Sequence, residues 1–156
     1  RRGRALVRAL LVVVGFAAIT IALTWFWGEW GRIGYGRFLK TVAPPIYEQI
    51  GFPDARVGAL RQRYINWIPF VGLVLVTPGL ALRRRTIGLF AGLGILFVSH
   101  LMLNLTERWQ PGRSLPVVAS LVSDALPFVI WIVVAHPVVS RWFVARQGEG
   151  KESDPI

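Results

Sequence analysis

Three ionisable side chains interrupt otherwise apolar stretches of this sequence: His100, Asp124 and His136. An unpaired charge in hydrocarbon is expensive, so each marks a candidate site. At 1.5 Å per residue, His100 lies about 7 Å from one end of its apolar segment, and Asp124 lies about 12 Å below the same surface in the next one. These depths allow the two to meet across a helical hairpin. There the carboxylate would favour the imidazolium, and Asn104, Ser120 and Ser123 would complete a polar cluster. Such a cluster serves either as a proton relay or substrate site, or as a structural pair joining two helices, and the structural use is the expected one.

His136 falls some 20 Å deeper than His100 by the same count. That separation argues against a bis-His haem, whose two imidazoles must stand at matching depth around metal–nitrogen distances near 2 Å. A single-His contact to a pigment or haem, through His100 or His136, stays open, and no cofactor is assigned. The chain has no cysteine, so cysteine nucleophiles, disulfides and Cys-ligated metals are excluded by inventory. No His-Glu-x-x-His, no Ser-His-Asp arrangement and no paired catalytic carboxylates appear, and no metal site is expected. Gly28, Gly31, Gly34 and Gly36 lack the preceding strand and the following Gly-Lys-Ser/Thr of a phosphate cradle.

The elements that must position these residues are membrane spans. Hydrophobic residues make up 54% of the 156, above the roughly 45–50% of soluble domains. Four apolar segments, about 5–27, 66–82, 86–105 and 116–137, approach the length that a 30 Å hydrocarbon core requires. The expected fold is therefore an all-α integral membrane bundle of four helices over residues 1–146, followed by a polar cytoplasmic tail, 147–156. The first segment ends in Trp25-Phe26-Trp27 instead of a small-residue cleavage site, so it reads as a retained span. The second is the weakest, being short and holding Pro69 and Pro78.

The net charge of +10 is carried mainly by arginines at the ends of the apolar segments. Arg1, Arg2, Arg4 and Arg8, the Arg83-Arg84-Arg85 turn, and Arg141 with Arg146 all fall on one side of a four-span chain. The expectation is a bacterial inner-membrane protein with both termini cytoplasmic, contacting anionic lipids and not nucleic acid. Trp25, Trp27, Trp30, Trp67 and Trp109 map to the opposite boundary as interfacial anchors.

Residues 28–65 read as an extracytoplasmic loop broken by Pro44-Pro45. Asp54 is placed as a helix N-cap, followed by a basic amphipathic segment in which Val57, Leu60 and Tyr64 share a face flanked by Arg56, Arg61 and Arg63. Together with Tyr35, Tyr47 and the tryptophans up to Trp67, this loop is the expected surface for lipid or for other integral membrane subunits. Gly88-x-x-x-Gly92, continuing to Ser99, and Ala119, Ser120 and Ser123 are the expected helix-packing faces.

With so little recognisable chemistry, the sequence points to a non-catalytic small subunit of a larger membrane complex, respiratory, photosynthetic or transport-related. The alternative is a small membrane enzyme or transporter that uses Asp124 and His100 and takes anionic substrates through the basic loop.

Overall fold

The computed structural model describes residues 2–55, 57, 62–109 and 115–149. All of its regular elements are helical. Helix α1 (Arg2–Phe26) runs through a π-helical turn (Trp27–Gly31) into α2 (Arg32–Gln49). A 3-10 turn (Gln62–Asn66) leads into α3 (Trp67–Val76), and α4 (Leu82–Trp109) and α5 (Leu115–Glu149) complete the chain. Three helical stretches, Leu6–Gln49, Leu82–Thr106 and Val118–Arg141, are long and apolar enough to cross a membrane.

Two boundaries differ from those expected. The first helix does not stop at Trp27 but continues to Gln49, straight through Pro44 and Pro45. Each proline removes one helical donor and frees the carbonyl four residues earlier. Those carbonyls belong to Lys40 and Thr41, both exposed residues of α2. The helix ends instead at Gly51, whose φ of 91° is the left-handed conformation that terminates helices. The second expected span is also shorter: α3 has ten residues. It stops at Thr77 because the residue before Pro78 is pushed into an extended conformation, with ψ 112°. Most of the proposed amphipathic segment, Arg56 and residues 58–61 with Leu60 and Arg61, lies outside the described residues.

The bundle alternates in direction. Across α4 and α5, Gly88 faces Val134, Gly92 faces Ile130, and Ser99 bonds Ser123. Across α1 and α3, Gly15 faces Val76, and Gly72 faces Phe16 and Thr20. Both pairs are antiparallel. The small residues are what permit this approach: a Cβ on Gly92 would lie 2.1 Å from the Phe70 ring, and one on Gly88 would lie 2.5 Å from Val134. Lipid tails are as apolar as the side chains, so such close packing, and not burial from water, holds helices together in a bilayer.

Helix α2 buries a single stripe, Gly36, Leu39, Ala43 and Tyr47, and turns Arg32, Arg37, Lys40 and Glu48 outward. Tyr35 and Tyr47 stand about 18 Å apart along the helix. Yet Tyr35 bonds His100 while Tyr47 bonds the Leu101 carbonyl, neighbouring positions on α4. Helix α2 therefore crosses α4 steeply instead of running along it. A π-helical turn, a common site of helix bending, stands between α1 and α2. Trp27 packs over Gly31 there, where a Cβ would come within 2.7 Å of the indole.

The two prolines inside α5 each free a carbonyl, and each carbonyl finds a donor from another helix. Pro127 frees Ser123, whose carbonyl accepts from the Asn66 amide at 2.9 Å. Pro137 frees Val133, and the Arg84 guanidinium reaches Val134 at 2.9 Å and Val133 at 3.4 Å. In a medium without water this pairing is what makes a proline tolerable in mid-helix.

Candidate functional site: the buried cluster around His100

His100 is drawn into the bundle by helical register, one turn before Asn104 on the face of α4 that meets α2 and α3. The Tyr35 hydroxyl stands 2.7 Å from its Nδ1, and Asn66 Oδ1 stands 2.8 Å from its Nε2. The Tyr64 ring packs against the imidazole with centroids 4.8 Å apart, and Tyr35 packs on it edge-on. His100, Asn66 and Ser123 are all buried.

The protons in this cluster follow from its geometry. A carbonyl only accepts, so the Asn66 nitrogen that meets the Ser123 carbonyl must be the amide donor, Nδ2. The same nitrogen also donates to Ser123 Oγ at 3.0 Å. Asn66 Oδ1 consequently faces the ring and accepts from Nε2–H of His100. In the neutral ring Nδ1 then accepts from the Tyr35 hydroxyl. Ser99 Oγ donates to Ser123 Oγ at 3.1 Å and extends the network across α4 and α5.

A second network sits one turn further along α4. The Tyr47 hydroxyl donates to the Leu101 carbonyl at 3.0 Å and accepts from Asn104 Nδ2 at 3.1 Å. Two tyrosines of α2 thus fasten this helix to α4.

The expected meeting of His100 and Asp124 does not occur. Both ring nitrogens of His100 are occupied by Tyr35 and Asn66, and Asp124 is exposed on the other side of α5. One residue of register decides this, because the neighbouring Ser123 takes the inward position. Asn104 joins Tyr47 instead of the histidine, and Ser120 and Ala119 are half-buried. His136 is exposed on α5, about 20 Å along the helix from Ser123.

Of the expected surface aromatics, several turn inward. Trp27, Tyr47 and Tyr64 are buried, and Tyr35 and Trp67 are half-buried against them, with Trp27 and Trp67 edge-on at 5.6 Å. They pack into the core under α2. Trp25 and Trp30 are exposed, as an interfacial anchor must be. Arg56 and Arg61 lie outside the described residues, as does the side chain of Arg63.

Sequence reasoning missed Asn66 and Arg84 as cross-helix donors. The signal was present in Pro127 and Pro137, each of which demands a donor for the carbonyl four residues before it. Comparison with known protein families, curated proteins and solved structures finds no match, so the functional reading rests on the residues themselves.

Among the described hydrogen bonds, both ring nitrogens of His100 are taken by partners within the bundle. Protons can pass between Tyr35 and His100, but an amide does not relay them, and the chain of bonds beyond the imidazole runs into Asn66 and a backbone carbonyl. A metal or haem at His100 would have to displace Tyr35 or Asn66.

Proposed function

We propose that this chain is a non-catalytic small subunit of a larger membrane assembly, respiratory, photosynthetic or transport-related. The observation that carries the reading is the contrast between inside and outside. The polar groups of the His100 cluster bond one another, whereas the exposed face of α5 carries a carboxylate that bonds no described residue. Asp124, without a partner among the described residues, stands on α5 beside exposed Leu121, Val122 and Ala125. A carboxylate on an apolar helix face is costly towards lipid and stable towards a cationic or hydrogen-bonding group of another protein. No residue in the apolar window of α1 is fully buried, and apart from the stripe that packs on α3 its side chains are exposed, which leaves a second face for a neighbour.

The chain crosses the membrane four times in this reading. Helix α3 is too short to span alone, but the 3-10 turn before it and the Pro78-Gly79 turn after it lengthen the path between α2 and Leu82, and the alternation of α1, α3, α4 and α5 supports four passes. Both termini then lie on the side of Arg8, Arg83 to Arg85 and Arg141, the cytoplasmic side of a bacterial inner membrane by the distribution of positive charge. Helix α2 covers the opposite end of the bundle, its arginines and Lys40 turned outward.

Blue-native electrophoresis after mild detergent extraction tests the reading. Comigration with a complex much larger than the 17.4 kDa chain is expected. Migration as a monomer or homodimer would favour the alternative, a self-contained enzyme or transporter.

A further inference from the structure

At the basic end of the bundle a groove of about 1060 Å³ opens between the start of α1, the Pro78-Gly79 turn and the end of α5. Its walls are aliphatic, with Leu11, Val12 and Val138 among them, and Arg8 and Arg141 line it from two different helices. Among the described residues neither guanidinium has an ion pair. Gly79 holds a left-handed φ of 76°, which disfavours any side chain at the turn and keeps that wall low.

We propose that this groove binds one anionic phospholipid, its acyl chain along Leu11, Val12 and Val138 and its phosphate between Arg8 and Arg141. The two halves of the site fit the two halves of such a molecule. Guanidinium groups match phosphate oxygens in paired, charge-assisted hydrogen bonds. A water-soluble anion would leave the aliphatic walls unused, and an apolar partner helix would leave two cations unmatched at the headgroup boundary. Basic pockets between transmembrane helices are a recurring form of anionic-lipid site. The proposal rests on the membrane placement but not on membership of a complex, so the isolated chain tests it separately from the subunit reading.

The experiment is native mass spectrometry of the purified full chain in detergent, with phosphatidylglycerol and phosphatidylcholine of the same acyl chains. Phosphatidylglycerol is expected to be retained at least tenfold better. Arg8→Gln with Arg141→Gln should abolish that preference while helical content by circular dichroism stays unchanged, and Arg32→Gln with Arg37→Gln on α2 should leave it intact. Val12→Trp, which fills the groove and keeps both arginines, should lower retention of either lipid and keeps the test decisive if the double variant fails to fold. Equal retention of the two lipids, or a preference that survives loss of both arginines, would overturn the proposal. So would phosphatidylglycerol binding that appears only after removal of residues 150–156, which would assign the groove to the acidic tail with Glu152 and Asp154.

Discussion

The Asn66 side chain donates 2.9 Å to the carbonyl of Ser123, which Pro127 has left without its helical donor. A single amide therefore repairs α5 and, through its oxygen, fixes the ring of His100. Asn66→Ala should destabilise the chain by about 1–2 kcal/mol, since it strands both groups in a buried setting. Pro127→Ala restores a backbone N–H to the Ser123 carbonyl and should recover part of that loss. Thermal unfolding in detergent of the two single variants and the double variant measures the coupling. Strict additivity would show that the amide and the proline are not linked.

Among the described glycines Gly92 leaves the least room for a side chain, and Gly94 faces open space two residues later. Gly92→Ala should cost about 1–3 kcal/mol because the Phe70 ring, fully buried, has no room to retreat. Gly94→Ala should be neutral or slightly stabilising, as alanine is the better helix former. Equal midpoints for the two variants would contradict the packing described for α3 against α4.

Much of the fold is legible in the sequence. The apolar segments and their flanking arginines mark the long helices, and Gly88 and Gly92 mark a close approach, though the partner of Gly92 is Phe70 as much as α5. The site is only half legible. Depth counting brings His100 near the Ser123-Asp124 pair, but which face of α5 turns inward depends on a shift of one residue, and that shift exchanges Asp124 for Ser123. Composition alone also misreads α2. Glycine and proline spacing resembles a loop, and the helix continues where the freed carbonyls belong to exposed residues and Tyr35 and Tyr47 bind it to α4.

For Asp124 the expected outcome follows from its exposure. Asp124→Asn and Asp124→Leu should each leave the unfolding midpoint of the isolated chain within the effect of an ordinary surface change, about 0.5 kcal/mol. Loss of stability well beyond that would mean that the carboxylate has a partner within the chain after all.

The orientation is tested by single cysteines at Gln62 and Glu149 in this cysteine-free background. An impermeant thiol reagent added to intact cells should label Gln62→Cys and spare Glu149→Cys. The reverse pattern would place the basic clusters outside.

The most direct measurement of the subunit reading is in-cell crosslinking from the α5 face that carries Asp124. A photoreactive amino acid at Ala125, exposed beside the carboxylate, should yield a discrete adduct with another integral membrane protein, and Asp124→Leu in the same chain should weaken that adduct. Adducts to lipid alone, unchanged by Asp124→Leu, would contradict the account.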